Sequence, residues 1–292
     1  MKFLVHSALF AGLAVAIAVL PAGASPAQGQ QQPQKPQTGQ QQPAQPPAQG
    51  QAAPGQPAAG QAAAPKGNPE EEKAYKEFYD LKPDNPQGIV ASGEAFVQKF
   101  PDSKYLGSVY SKMTTAYQET GNDAKMFDVG QKALHLNPDN VDVLAILAYS
   151  IPRRINPDEL GSDDKLNQAA GYAKHAMDLL DKMPKPANMT DDQFAAAKNS
   201  ELASCHSGMG LVEYYQHNIP GMVTDLEAAV KLEAAPDPSD QFLLGFAYAQ
   251  AGRWADAQGV LEKCSANPTP IQSRCKTVLD QVKKHASTPP SK

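Results

Sequence analysis

Apolar positions recur with a helical period along residues 68–286, and turn residues interrupt the pattern at intervals. The clearest case is the set Tyr110, Met113, Thr114 and Tyr117, which are spaced three, one and three residues apart and therefore share one face of a helix. Gly121 follows and ends this helix, as a glycine in the left-handed conformation does. The pattern predicts an all-α domain built from paired helices.

Helix-capping and helix-breaking residues indicate where the first two helices and the last one lie. A first helix is predicted over residues 68–81, because Asn is a good N-cap and the following Pro69 suits the first helical position. A second runs over residues 87–100 and stops at Pro101. A final helix over residues 271–285 is expected to cover the last pair, since a row of stacked hairpins needs such a cap.

The third pair carries a predicted interruption. Its first helix covers residues 141–151, and Pro152 is expected to stop it because proline lacks the backbone N–H that a helix needs. Residues 153–164 are predicted to be an insertion, and Ser162 or Asp163 to cap the partner helix. The partner helix places three alanines on its close-packing edge: Ala169, Ala173 and Ala176.

The fourth pair opens with an unusually long helix. Thr190 and Gln193 fit a capping box, and the helix runs from there to about Tyr215. Gly208 and Gly210 lie inside it, although glycine in a helix costs up to ~1 kcal/mol relative to alanine. The two glycines therefore predict close approach of a neighbouring helix.

The strongest local pattern lies in residues 241–268, which form a helix, a glycine turn and a second helix. Its key positions are Leu244, Gly245, Tyr248, Gly252, Ala257, Leu261, Cys264 and Pro268. This arrangement resembles the tetratricopeptide repeat (TPR), a helical hairpin of about 34 residues. The ending of the first pair, residues 99–103, resembles the close of repeats in TPR proteins of the bacterial cell envelope. Over residues 70–286 the resemblance implies a right-handed superhelical solenoid of about five hairpins plus a C-terminal capping helix.

The resemblance also implies a site, because in this family the first helices of successive hairpins line a concave groove that holds a partner segment. Carried over to this sequence, the groove residues are Ser111, Thr115, Gln118, Tyr149, Arg153, Ser207, Leu211, Tyr214, Phe242 and Phe246. The combination of Lys, Asn and Arg residues with which chaperone-binding members hold a terminal carboxylate is absent at these positions. The aromatic residues suggest an apolar floor, and the alternative is that they belong to the core between helices.

The N-terminal residues have the composition of a leader followed by a spacer. Residues 1–24 combine a basic start, an apolar run and a small-residue cleavage site, which predicts a signal peptide. The alternative is an uncleaved membrane anchor, since the run approaches the ~20 residues that span a bilayer. Residues 25–67 are rich in Gln, Pro, Ala and Gly, and they predict a disordered spacer or, alternatively, a proline-rich ligand.

These segments give the predicted organisation of the chain. A TPR-like helical domain over residues 68–286 follows the spacer, and residues 287–292 form a disordered tail. The leader predicts an exported protein, periplasmic or extracellular after cleavage.

The charge distribution restricts the class of partner. All 31 acidic residues lie after Gly67, where they face 23 of the 26 basic residues and give this part of the chain a formal charge of −8. No basic cluster interleaved with aromatic residues is present. The sequence therefore argues against nucleic-acid binding and against contact of the folded part with an anionic membrane.

Cysteine and histidine usage predicts no catalytic site. Cys264 and Cys275 are a candidate disulfide, or alternatively two small buried helix residues, and Cys205 is left over. Five histidines lie scattered outside the leader: His135, His175, His206, His217 and His285. No metalloprotease, nucleophile-elbow, phosphate-loop or paired-cysteine motif occurs. No catalytic residue, cofactor or metal is expected.

Two functions follow from these observations. The first is a non-catalytic scaffold of the bacterial cell envelope that holds a protein or peptide segment in the groove. The second is an accessory or anchoring subunit of an envelope enzyme or of a secretion or assembly complex, acting through the convex face. A hydrolase has no residue set behind it. Neither nucleic acid nor metal is expected as a partner. Membrane contact is expected only if the leader stays uncleaved.

Overall fold

The computed structural model describes residues 68–266 and 268–287, and this part of the chain is entirely helical apart from its turns. It contains eleven helices: α1 (Pro69–Tyr79), α2 (Pro86–Lys99), α3 (Leu106–Glu119), α4 (Asp123–Leu136), α5 (Val141–Arg154), α6 (Ser162–Lys182), α7 (Asp191–Tyr215), α8 (Ile219–Leu232), α9 (Pro238–Gln250), α10 (Trp254–Ala266) and α11 (Gln272–Ser287). The predicted all-α class is confirmed.

The helices stack in sequence order. Each helix packs against the next one along the chain, so that α1 to α10 form five successive hairpins. The first helices of neighbouring hairpins also touch, since α5 contacts both α3 and α7. The last helix, α11, packs against α10 and α9 as a cap. The predicted solenoid of five hairpins plus a capping helix is confirmed, and the hand of its superhelix stays a prediction.

Asparagine caps explain where four of these helices begin. The side chains of Asn85, Asn122, Asn140 and Asn218 accept hydrogen bonds from backbone N–H groups at the starts of α2, α4, α5 and α8. Such a bond satisfies one of the N–H groups that a helix leaves unpaired at its N-terminus. At α7 the predicted capping box is present in full, with Thr190 and Gln193 exchanging side-chain to backbone hydrogen bonds.

The third hairpin corrects two predictions. Pro152 does not stop α5, which continues to Arg154, because a proline in the last turn removes only one backbone hydrogen bond. The connection to α6 is therefore shorter than predicted. Ser162 and Asp163 do not cap α6, whose N-cap is Gly161 with φ of 85° and no side-chain cap. The Ser162 hydroxyl instead donates to the carbonyl of Pro157 within the connecting loop.

Close helix packing explains the glycines inside α7, as predicted. A methyl group on Gly208 would lie 2.3 Å from the carbonyl oxygen of Ala148 on α5. A methyl group on Gly210 would lie 2.7 Å from the Leu226 side chain on α8. Real side chains do not approach so closely, so both positions need glycine for the observed packing.

A disulfide joins α10 to the capping helix. Cys264 and Cys275 are bonded across a Cα–Cα distance of 5.9 Å, and both residues are fully buried. Cys205 is buried and free, and burial raises the pKa of its thiol to about 12. The disulfide therefore connects the capping helix to the last hairpin, and Cys205 takes no part in it.

Reduction of this bridge should destabilise the cap. A disulfide across a short loop limits the freedom of the unfolded chain, and we expect its loss to cost about 2–3 kcal/mol of unfolding free energy. Urea denaturation with and without dithiothreitol measures this difference. The control is the Cys264→Ala/Cys275→Ala variant, on which dithiothreitol should have no effect. An unchanged midpoint for the reduced natural chain would contradict the expectation.

Several predictions fall outside the described residues. The leader and spacer predicted over residues 1–67 lie there, and so do residues 288–292 of the predicted tail. Among the described helices, none is both long and apolar enough to cross a bilayer.

Candidate protein-binding groove

One cavity opens beside the N-terminal hairpin, and we call it the N-terminal cavity. It has a volume of about 710 Å³ and lies against α3, the start of α5 and the ends of α1 and α4. Its lining includes Tyr79, Lys104, Ser111, Lys112, Thr115, Leu136 and Asp142. Tyr79 and Leu136 are 63% and 52% exposed, and Leu160 is the other large hydrophobic side chain that is so exposed in the part of the chain that the structure describes. This cavity therefore has an apolar edge open to solvent.

The second cavity adjoins the first, and we call it the acidic cavity. It has a volume of about 530 Å³ and is lined by Thr115, Gln118, Asp142, Ile146, Tyr149, Glu201, Ala203, Ser204, Glu233, Asp237 and Asp240. Thr115 and Asp142 belong to both cavities. The two cavities thus form one continuous surface along α3, α5 and α7, which we call the groove.

Four of the predicted groove residues line it. Ser111 lies in the N-terminal cavity, Thr115 in both cavities, and Gln118 and Tyr149 in the acidic cavity. The Tyr149 hydroxyl donates a hydrogen bond to Asp237 at 3.2 Å. Thr115 is exposed at the junction of the two cavities, so it is the most accessible of the four.

Four other predicted residues are buried and line neither cavity. Ser207, Leu211, Phe242 and Phe246 are each less than a tenth exposed. The two phenylalanines are enclosed because α8, α10 and α11 all pack around α9. The alternative that these aromatic residues belong to the core is the one the structure shows. Tyr214 is half-buried, contacts Phe246 at a ring distance of 5.8 Å, and lines neither cavity.

Arg153 also differs from the prediction, because its guanidinium is held inside the domain. It stacks on the Tyr149 ring, 3.5 Å from the centroid, and donates to Ser207 and to Asp240. The ion pair with Asp240 is 2.9 Å long and almost fully buried. Ser207 also donates to Asp240. Arg153 therefore supports the floor of the groove and joins α5, α7 and α9.

Burial and mutual repulsion shift the pKa values of two carboxyls in the acidic cavity. Burial, with a contribution from the charge of Asp142, raises the pKa of Glu201 to about 7. Burial also raises the pKa of Asp240 to about 6, although Arg153 and the Ser207 hydrogen bond oppose that rise. Both shifts arise because a carboxylate is poorly solvated in a partly closed cavity.

The acidic residues were missed by sequence reasoning. Asp142 could have been found, since it lies four and seven residues before Ile146 and Tyr149 on the same face of α5. Glu201 had no such signal, because it lies six residues before Ser207, the first α7 position that the TPR resemblance implies for the groove. Glu233 and Asp237 lie in the segment between α8 and α9, whose sequence is that of an ordinary turn.

Three of the histidines have structural partners. His175 contacts Asp139 and His206 contacts Asp225, each at 2.8 Å. His285 stacks on Trp254 with a ring distance of 4.9 Å. Within the described residues, no three His, Cys, Asp or Glu side chains are grouped so that they could hold a metal ion.

The fold of this chain is similar to solved structures of other proteins. A thermophilic TPR protein of Thermus thermophilus matches 73% of this chain and 99% of its own, with 15% identity and a TM-score of 0.46. The TPR domain of P58(IPK) matches 74% of this chain and 65% of its own, with 16% identity and a TM-score of 0.28.

This chain is similar to TPR proteins. Both neighbours are thus proteins of the repeat family that the sequence resembles. No family model matches the chain, and no curated protein matches it.

Proposed function

We propose that this chain is a non-catalytic protein-binding scaffold of the bacterial cell envelope, and that the groove holds a segment of its partner. The observation that carries the proposal is the continuous pair of cavities along α3, α5 and α7, joined at Thr115 and Asp142. Each cavity is large enough to take several side chains, and neither contains a catalytic grouping of the kinds described above.

The exposed hydrophobic residues of the groove support this function. Tyr79 and Leu136 line one cavity and are more than half exposed, whereas the apolar residues of α9 are almost completely buried. Apolar side chains that share an open concave surface are typical of protein interaction sites. A partner segment that covers them would gain hydrophobic free energy.

The cell-envelope part of the proposal comes from the sequence. The composition of residues 1–24 is that of a leader for export. The Gln- and Pro-rich residues 25–67 are expected to act as a spacer, which would let the helical domain reach partners at a distance.

Site-specific photo-cross-linking in intact cells tests the function. A benzophenone amino acid at Thr115 lies in the groove, and the same group at Gln131 or Lys174 lies on the exposed surface of α4 or α6, outside both cavities. We expect a defined adduct from Thr115 and none from the two second-helix positions. Mass spectrometry of the adduct identifies the partner and the segment that it presents.

The same experiment separates the two candidate functions. Adducts from Gln131 and Lys174 with none from Thr115 would favour an accessory subunit that acts through the outer face, and would refute groove binding. Secreted fractions and membrane fractions of the same cells show whether the chain is exported. A chain that stays with its leader in the cytoplasm would refute the envelope role.

A further inference from the structure

The acidic cavity has an uncompensated charge. Five carboxylates line it, and they come from α5, α7, the segment between α8 and α9, and the first turn of α9. No Lys, Arg or His is among the lining residues. Arg153 is not a lining residue, but it pairs with Asp240. Asp142, Glu201, Glu233 and Asp237 thus give the middle of the groove a net negative charge.

The carboxylates also act on one another. Besides burial, the charge of Asp142 raises the pKa of Glu201, and the charges of Asp237 and Glu233 raise that of Asp240. Repulsion between like charges is relieved either by a proton or by a cation that enters the cavity. Asp142 is exposed and Glu201 is partly exposed, so an incoming cation can reach both.

The other end of the groove has a different character. Tyr79 and Leu136 give the N-terminal cavity its exposed apolar edge. Thr115 and Asp142 connect this cavity to the acidic one. A chain that lies along the groove would therefore meet apolar surface at one end and carboxylates at the other.

We propose that the segment held in the groove is extended and basic, with lysine or arginine side chains in the acidic cavity and an apolar side chain in the N-terminal cavity. This inference rests on the proposed function and adds the chemistry of the partner. Charge complementarity supports it, because matched charges across an interface give specificity and faster association. In an extended chain alternate side chains point to the same side, so cations at every second position would face the cavity.

A designed peptide tests the proposal on the full chain. The probe is fluorescein-labelled Leu-Ser-Lys-Ser-Lys-Ser-Lys, and its partner peptide has Glu in place of every Lys. Fluorescence anisotropy should show binding of the Lys probe and no binding of the Glu peptide. The variant Asp142→Asn/Glu201→Gln should weaken binding of the Lys probe about tenfold.

A charge-matched variant provides the control. Asp178→Asn/Asp181→Asn removes the same formal charge from the exposed surface of α6, outside both cavities, and should leave the affinity unchanged within about twofold. Equal weakening by the two double variants would mean attraction by net charge alone and would overturn the proposal. So would binding of the Glu peptide, or competition by spermine as effective as that of the unlabelled Lys peptide.

The pH dependence gives a second readout with a defined sign. The pKa of Glu201 is about 7, so the cavity gains negative charge as the pH rises from 6 to 8. Affinity for the Lys probe should increase several-fold over this range, and Glu201→Gln should remove the larger part of the increase. The remainder comes from Asp240, whose pKa is raised to about 6. An affinity that falls with rising pH would overturn the proposal.

Failure of this inference can be told from failure of the proposed function. If the Lys probe does not bind while Thr115 still cross-links a partner in cells, the groove binds a segment of other chemistry and only the inference fails. If Thr115 cross-links nothing and the Lys probe does not bind, both fail. Diazirine-labelled leucine in the probe should mark residues of the N-terminal cavity, and labelling elsewhere would refute the proposed orientation.

Discussion

Replacing Gly208 with alanine should cost at least about 3 kcal/mol of unfolding free energy, although alanine is the better helix former. The added methyl group would lie 2.3 Å from the carbonyl oxygen of Ala148 and 2.8 Å from its carbonyl carbon. Both atoms belong to the backbone of α5, which cannot move aside as a side chain can. The α5–α7 contact would have to open along its length.

Pro152 explains why α7 comes so close at this point. A residue four positions after Ala148 would normally donate its N–H to the Ala148 carbonyl, and Pro152 has no N–H to donate. The carbonyl is therefore left without its usual helical partner at the point where α7 brings Gly208 beside it. Weak Cα–H···O contacts recur where helices lie so close together.

Two other glycines provide matched comparisons for Gly208→Ala. Gly171 lies inside α6 with nothing within 4 Å of an added methyl group, so Gly171→Ala should stabilise the protein by about 0.5–1 kcal/mol. Gly210→Ala meets the Leu226 side chain, with Cγ at 2.7 Å, and no backbone atom, so it should cost less, about 1–2 kcal/mol. Urea denaturation measures all three. A Gly208→Ala variant as stable as Gly171→Ala would contradict the packing described for α5 and α7.

The sequence predicts the fold well because each hairpin carries its own local signals. Thr190 with Gln193 fixes the start of α7, and the spacing of the alanines on α6 fixes its buried edge. These signals act within a few residues, so they can be read without knowing what lies next to them. Pro152 was misjudged because a proline near a helix end is tolerated when only one hydrogen bond is lost.

The groove is harder to predict because its residues come from distant hairpins. The groove positions that the TPR resemblance implies were right for Ser111, Thr115, Gln118 and Tyr149, which line the two cavities and lie on the first helices of their hairpins. They failed for α9, where every residue from Asp240 to Ala249 is buried. A helix that is apolar all round is enclosed on all sides, and this signal was present in the sequence. This apolar pattern should have outweighed the groove positions that the TPR resemblance implied for Phe242 and Phe246.

Long-range polar contacts had no sequence signal at all. Arg153 and Asp240 are 87 residues apart, and neither belongs to a recognisable motif. An arginine at the end of a first helix is expected on the surface, where most arginines lie. Only the stacking of α5 against α7 and the return of the chain at α9 bring the guanidinium, the hydroxyl of Ser207 and the carboxylate together.

Replacing Arg153 with leucine should cost about 3–5 kcal/mol of unfolding free energy at pH 8. Leucine removes the guanidinium that pairs with Asp240 and stacks on Tyr149. Asp240 is 5% exposed, so its carboxylate would be left charged and buried without a cation. An uncompensated buried charge is far more costly than the loss of an exposed ion pair.

The pH dependence of this loss has a definite sign. Arg153 lowers the pKa of Asp240, which burial nevertheless raises to about 6, so the variant should have a still higher value. A carboxyl whose pKa is raised in the folded state stabilises the protein when it is protonated, and that stability is lost as the pH rises through its folded pKa. The Arg153→Leu variant should therefore be much less destabilised at pH 5 than at pH 8.

Two further variants decide whether the buried charge is the cause. Arg153→Leu/Asp240→Asn removes both charges and should recover most of the lost stability at pH 8. Arg154→Leu removes the neighbouring arginine, whose pair with Asp123 is about one-third exposed, and should cost less than about 1 kcal/mol. If the double variant is as unstable as Arg153→Leu at both pH values, the loss comes from packing against Tyr149 and not from the charge of Asp240. A recovery of stability that occurs only at pH 8 would instead identify the charge of the Asp240 carboxylate as the cause. At pH 5 this carboxyl is protonated whether or not Arg153 is present.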